Sequence, residues 1–169
     1  MEIRPVADGD LPAILGIINR EIREGVAHFG TEEMTPEELE TEWSATRQRY
    51  GWYCAVDGGA LLGYARGGPW KTRGAYRWAA EIGVYIQPAA KGRGVGRALY
   101  EVLFDHLRAK GLRTLIAGIT LPNAASVALH EKMGMNRVGV FERVGYKHGA
   151  WQSVGYWQVC FGGDEAPAR

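Results

Sequence analysis

Three features of this sequence carry groups that can do chemistry. They are Glu81 inside an apolar run, the basic glycine-rich segment from Lys91 to Arg97, and His130 in a stretch with helical signals. Trp78, Ala80, Ile82, Val84 and Ile86 alternate with Ala79, Glu81, Gly83 and Tyr85, a strand pattern that puts Glu81 on one face. A carboxylate in such a strand needs partners or a task, because desolvating it alone is costly. Crowding also raises a carboxyl pKa, which turns the group into a useful proton acceptor near neutral pH. After Gln87 and Pro88 come Lys91, Gly92, Arg93, Gly94, Val95, Gly96 and Arg97, and Val95, Leu99, Val102, Leu103 and Leu107 then follow at helical spacing. Glycines at a helix start gather backbone N–H groups at the positive end of the helix dipole, an arrangement suited to a phosphate. A dinucleotide fingerprint from Gly92 would need glycine at position 97, where Arg97 stands, and no Gly-Lys-Ser or Gly-Lys-Thr run supplies a Walker loop.

The remaining elements must hold these groups. Ile3–Val6 reads as a first strand, and Asp8 or Asp10 can cap a helix with Leu11, Ile14, Leu15, Ile18 and Ile22 on one face. The segment from Glu24 to Met34 loses periodicity and carries His28 and Phe29, an aromatic loop that can line a pocket. Thr35, Pro36 and Glu38 form a capping-box start for a second helix that buries Leu39 and Trp43. Tyr53–Val56 and Ala60–Gly67 flank a hairpin turn at Asp57-Gly58-Gly59. The polar turn-rich stretch from Pro69 to Tyr76 offers Lys71 and Arg73, and an arginine fork there is well shaped for an anion. Lys110 and Gly111 stop the long helix, and Thr114–Ile119 is a short strand. Asn123 can cap a last helix with Val127, Leu129 and Met133 on its apolar side, and Gly134 ends it. Aromatic density after residue 144 predicts a final hairpin. His106 reads as structural, and His148 as a pocket or subunit-contact residue.

The outer limits come from length and composition. A chain of 169 residues with 46% hydrophobic content suits one compact domain, expected over 1–161 with a flexible tail over 162–169. A net charge of +1 gives no electrostatic case for nucleic acid. Cys54 and Cys160 fall in strand-like runs and are expected as buried thiols, with no metal-ligand spacing. No apolar run spans a bilayer and the start lacks a targeting core, so a cytoplasmic protein without a membrane partner is expected.

Lys91, Gly94 and Gly96 fit an Arg/Gln-x-x-Gly-x-Gly/Ala loop, which resembles the pyrophosphate loop of the GNAT acyltransferase superfamily; Lys91 replaces the usual Gln or Arg. Asn123, Ser126, His130, Gly134 and Met135 resemble that superfamily's Asn…Tyr…Gly-Phe pattern, with histidine at the tyrosine place. Ala80-Glu81, Val84-Tyr85, Leu121-Pro122-Asn123, Leu129-His130-Glu131, Gly145-Tyr146-Lys147-His148-Gly149, Trp151 and Tyr156-Trp157-Gln158 are similar to the branch that N-acetylates phosphinothricin, methionine sulfoximine and methionine sulfone.

The resemblance implies an α/β (α+β) fold of GNAT type, with a twisted, mixed, mostly antiparallel sheet flanked by helices. It implies acetyl-CoA as cosubstrate, bound by Val84, Tyr85, Ile86, Lys91, Gly92, Arg93, Gly94, Val95, Gly96, Arg97, Asn123 and Ser126. It implies a small amino-acid-type substrate, for which Phe29, Arg73, Gly74, Ala75, Tyr76, Val84 and Tyr85 are the candidate contacts, and a homodimer. Acetyl transfer to an α-amine needs a base, an oxyanion site and an acid for the leaving thiolate. Glu81 is the candidate base, backbone N–H groups near Val84–Ile86 the oxyanion site, and His130 the acid; His130 can equally be the base with Glu81 polarising it. Neither cysteine lies in a nucleophile motif, so direct transfer in a ternary complex is expected. A polyamine or a peptide N-terminus as acceptor, and a non-catalytic acyl-CoA-binding module, are the alternatives.

Overall fold

A computed structural model describes residues 1–163 and 165. The chain runs β1 (Glu2–Pro5), α1 (Leu11–Glu24), α2 (Pro36–Tyr50), β2 (Trp52–Asp57), β3 (Ala60–Pro69), β4 (Ala79–Ile86), α3 (Val95–Ala109), β5 (Thr114–Leu121), α4 (Ala124–Lys132), β6 (Asn136–Lys147) and β7 (Ala150–Cys160). One seven-stranded sheet takes the order β1-β2-β3-β4-β5-β7-β6. Only β4 and β5 run parallel, and every other neighbouring pair is antiparallel. This is the mixed, mostly antiparallel sheet that the resemblance implies.

Alternation along β4 decides which helices cover which face. Ala80 and Ile82 join a core with Val95, Leu99, Tyr100, Leu103, Phe104 and Leu107 of α3. The opposite face packs Cys54 of β2 and Tyr64 of β3 against Ile14, Ile17, Ile18 and Ile22 of α1 and Leu39 and Trp43 of α2, with Tyr85 of β4 at the margin. Burying each of the Val, Leu, Ile and Phe side chains among these is worth about 1.5–3 kcal/mol, so the two cores clamp the sheet from both sides. The side chains of Glu81 and Tyr85 therefore point toward α1 and α2, and those of Ala80 and Ile82 toward α3.

Most boundaries agree with the sequence, and the differences have physical causes. Asp10 precedes α1 but does not cap it: its carboxylate takes two N–H groups of Arg4, at 2.6 and 2.8 Å, and the backbone N–H of Ala7 at 2.9 Å. Asp8 lies in the short 3-10 turn before α1. Cys54 is buried, but Cys160 is exposed, because it ends β7 where the sheet runs out; both thiols are free. The last hairpin starts at Asn136, well before residue 144. The tail expected over 162–169 lies mostly outside the described residues.

Thr35 accepts from Glu38 N at 3.2 Å and Glu38 takes Thr35 N at 2.8 Å, so the capping box of α2 is closed. Because α2 carries Glu42 toward the site described below, this cap matters beyond its own helix. Thr35→Ala is expected to lower unfolding free energy by about 0.5–2 kcal/mol, read by urea titration.

Candidate active site

The parallel pairing of β4 and β5 is brief. Ala79, Ala80 and Glu81 face Thr114, Leu115 and Ile116, and beyond Glu81 no register between the two strands exists, although β4 continues to Ile86 and β5 to Leu121. Each strand stays paired on its other side, β4 with β3 and β5 with β7. Glu81 thus stands at the apex of a fork. Past it, the β5-facing backbone of β4 has no ladder partner, and such groups must be met by water or by a ligand.

A cavity of about 640 Å³ opens on the Glu81 face, between the sheet and the α1–α2 loop. Its floor is nearly bare, because Gly68 opposite Glu81, Gly83 opposite Arg66, and Gly118 of β5 all line it. Trp52, Tyr64 and Tyr85 stack across three strands beside this floor, with ring centroids 5.8 and 5.4 Å apart. Glu81, Arg66 and Glu42 are its charged wall groups, and His28, Phe29 and Tyr156 supply rings. Burial pushes the Glu81 carboxyl above the ordinary glutamate range, against the opposing pull of the Arg66 and Lys71 cations. The His28 imidazole is pushed down, mainly by burial, and its Nδ1 accepts the Gly30 N–H at 3.0 Å.

His130 lies on the other side of the sheet, only 3% exposed. Its Nδ1–H donates to the Ser126 carbonyl at 2.7 Å, which leaves Nε2 to accept the Tyr100 hydroxyl at 2.9 Å. Burial lowers its pKa, so the ring is held neutral with both nitrogens engaged. In this arrangement Nε2 receives a proton rather than offering one. No hydrogen bond joins His130 to Glu81 among the described residues. Tyr100 was not singled out from the sequence, although its place one turn before Phe104 on the buried side of α3 was there to be read.

The glycine-rich turn leads into α3 as expected. Gly92 and Gly94 have φ of 75° and 78°, and a side chain at either would meet nothing within 4 Å. Gly94 is the N-cap of a 15-residue helix with no side-chain cap of its own, so the first N–H groups of α3 have no protein acceptor among the described residues. Lys91, Arg93 and Arg97 are exposed around it, Arg93 reaching Asp57 at 3.3 Å and Arg97 reaching Glu101 at 2.8 Å. Val95 is buried beneath. Backbone donors, surrounding cations and the unpaired edge of β4 at Val84, Tyr85 and Ile86 fit a diphosphate carrying an extended amide arm, the two parts that acetyl-CoA presents. Asn123 caps α4 by accepting Ser126 N at 3.1 Å.

Among the candidate substrate contacts, Phe29 and Tyr85 line the cavity. The side chain of Val84 packs toward the α3 core. Arg73, Gly74, Ala75 and Tyr76 form an exposed segment leading into and along a 3-10 turn and do not line the cavity.

The cavity roof is tied down from the far end of the sheet. Lys147, 6% exposed, donates to the Glu21 carbonyl at 3.1 Å and the His28 carbonyl at 2.6 Å. His148 Nε2 donates to the Gly25 carbonyl at 3.0 Å, and Thr120 Oγ1 to Val26 O at 2.9 Å. Gly145 admits the Phe29 ring onto its bare backbone, where any side chain would collide. The motif Gly145-Tyr146-Lys147-His148-Gly149 is thus a clasp on the α1–α2 loop, and the Lys147 cation sits favourably at the carbonyl end of α1. Lys147→Met is expected to speed proteolytic cleavage within 25–33 by about tenfold or more, since two carbonyls lose a charged donor worth about 1.5–3 kcal/mol. Hydrogen-exchange protection of β3 and β4 should be unchanged.

Sequence comparison agrees with this geometry. The Acetyltransferase (GNAT) family description matches residues 17–135, and the chain belongs to that family. Within it, the chain is 39% identical to the phosphinothricin N-acetyltransferase of Streptomyces viridochromogenes, over 99% of this chain and 90% of that protein. It is 34% identical to the L-methionine sulfoximine/L-methionine sulfone acetyltransferase of Pseudomonas aeruginosa, covering 93% and 92%. The solved structure of a phosphinothricin acetyltransferase from Sinorhizobium meliloti in complex with acetyl-CoA superposes with a TM-score of 0.94, at 30% identity, covering 99% of this chain and 92% of that one.

Proposed function

We propose that this acetyltransferase moves acetyl from acetyl-CoA to the α-amine of a small amino-acid analogue, of the methionine sulfoximine, methionine sulfone or phosphinothricin kind, in a detoxification-type reaction. The observation that carries the reading is Glu81 at the apex of the fork, a carboxylate facing a cavity and held above its ordinary pKa. Relatives matching nearly the whole chain are named for those acceptors.

Bound acetyl-CoA supplies an activated acetyl carbonyl. The turn from Lys91 to Gly96 and the N-terminus of α3 hold its diphosphate, and the unpaired edge of β4 at Val84–Ile86 orients the arm. Glu81 takes the proton of the acceptor ammonium at its carboxylate, directly or through water. Tyr100 and His130 form a proton-holding pair on the α3 side, with Nε2 as the acceptor atom. Cys54 takes no part, because burial pushes its thiol up to about 11 and it sits beside Asp10 and Arg4, away from the cavity. Transfer is direct in this reading: the amine C–N bond forms as the acetyl C–S bond breaks, Glu81 holds one proton of the ammonium, and the second leaves with the CoA thiolate as thiol.

The chain acts as a cytoplasmic homodimer in this reading. Two unpaired thiols suit a reducing compartment. β6 is a sheet edge, and Val138, Phe141, Val144, Tyr146 and Trp151 of the last hairpin are 54–61% exposed, an apolar concentration that suits a second copy. Sedimentation should show a dimer, and Phe141→Lys with Trp151→Glu should shift it to monomer. A monomeric parent chain would remove this part of the reading.

The deciding experiment is thiol release from acetyl-CoA with methionine sulfone, methionine sulfoximine, phosphinothricin, a polyamine and a short peptide. Turnover should be confined to the first three. Glu81→Gln should lower kcat by about 10²–10⁴-fold and abolish an acid limb in kcat/KM that lies above the ordinary carboxylate range. His130→Ala should lower kcat, and Tyr100→Phe should reproduce it if the two act as a unit. Turnover of the polyamine or peptide instead would replace the acceptor. Acetyl-CoA binding with no thiol release would favour a sensing module.

The raised pKa of Glu81 also has a sign for stability. Compared with the unfolded chain, the fold disfavours the charged form, so the penalty of the charge is present at neutral pH and absent below the unfolded value of about 4.3. Glu81→Gln should therefore raise Tm at pH 7 and leave it nearly unchanged at pH 4.

A further inference from the structure

Arg66 lines the same cavity and has no part in the proton transfer described above. It stands opposite Gly83 on β4 and opposite Trp52 on β2, and its side chain shares the face of Glu81. Its guanidinium leans along β3: Nη1 lies 3.7 Å from the place a Cβ would take on Gly68, and Gly68 is the residue directly across from Glu81. The cation is thus poised one residue step from the base. It is also pinned. Glu42 of α2 pairs with Nη1, and the Trp52 ring centroid lies 5.3 Å from Cζ.

A guanidinium carries five N–H donors in a fixed fork, and among the described residues Glu42 is the one acceptor that Arg66 has. Its other donor nitrogens are not sealed in protein: the side chain is 28% exposed, and none of them is both enclosed and unpartnered. Arg66 is one of the residues that line the cavity. Between Arg66 and Glu81 the floor is Gly68 and Gly83, where no side chain intrudes.

We propose that Arg66 is the acceptor's carboxylate-docking residue. The acceptor enters as a zwitterion, with its ammonium at Glu81 and its α-carboxylate on the open edge of the Arg66 guanidinium, its carbon frame lying over the glycine floor. This rests on the amino-acid reading of the acceptor given above and makes it selective. An amine without a neighbouring anion would strip water from Arg66 and give nothing back, so monoamines and polyamines are refused by this cation. Glu42 holds the fork in the orientation that leaves its far edge free.

The test compares methionine sulfone with its carboxamide, which keeps the amine and side chain and loses only the negative charge. Thiol release is measured for the parent chain, Arg66→Gln, Glu42→Gln and the double variant, together with calorimetric binding of both compounds in the presence of CoA. The parent should prefer the acid over the amide by about 10–100-fold in kcat/KM and in affinity. Arg66→Gln, and the double variant in which Glu42 is no longer left unpaired, should bring that ratio to about 1. Glu42→Gln should keep a preference for the acid. Equal treatment of acid and amide by the parent, or equal loss for both compounds in Arg66→Gln, overturns the assignment and leaves the amino-acid reading standing. If no amine is turned over, the acceptor reading fails, and the calorimetric ratio still decides Arg66.

Discussion

The structure depends on the parting of β4 from β5. Two neighbouring parallel strands would ordinarily stay paired, because each unpaired N–H or C=O in a protected place carries a cost near that of a lost hydrogen bond. Here the ladder stops at Glu81 and Ile116, while both strands remain anchored on their outer sides by β3 and β7. The fork is therefore held open by the sheet itself and is available before anything binds. It brings two features together: backbone polar groups of β4 without a ladder partner, and the Glu81 carboxylate at the point where the ladder stops. The helices follow from it, with α3 presenting its N-terminus beside one mouth of the fork and α1 and α2 roofing the other.

The two faces of the sheet then divide the work. On the α3 side, His130 and Tyr100 are sealed and hydrogen-bonded in a neutral state. On the α1–α2 side, Glu81 and Arg66 stand beside open volume, with bare glycines between them. The acceptor face is thus polar and roomy, and the other is dry and packed. A reaction that moves an acetyl group from a thioester to a polar amine suits such a division, since a polar acceptor needs a roomy, hydrated approach.

Much of this was legible in the chain, for reasons that vary by residue. Glu81 announced itself because a charge in an alternating apolar strand is costly, whereas the glycines before α3 gained meaning only together with Glu81 and His130, since a plain tight turn uses the same residues. The capping box at Thr35 and the turn at Gly58-Gly59 are local chemistry, which sequence states directly. Arg66 was not legible: in a strand it looks like any solvated arginine, and its meaning depends on the register that sets Gly83 and Gly68 beside it. The environment of His130 was hidden in the same way, because Tyr100 comes from another helix. Gly145–Gly149 could be recognised as a motif, but its task could not be read, since the carbonyls it holds lie more than a hundred residues earlier in the chain. The apolar face of α3 was read through its aliphatic residues, and the aromatic side that includes Tyr100 and Phe104 was missed.

That clasp has a bearing on how the protein is made. The residues that fix the cavity roof belong to the last hairpin, and β7 must slip between β5 and β6 before Lys147 and His148 can reach the loop after α1. The cavity floor is built from glycines of β3, β4 and β5, so a chain whose last hairpin is displaced keeps the floor and the glycine-rich turn before α3 but loses the ties on the roof.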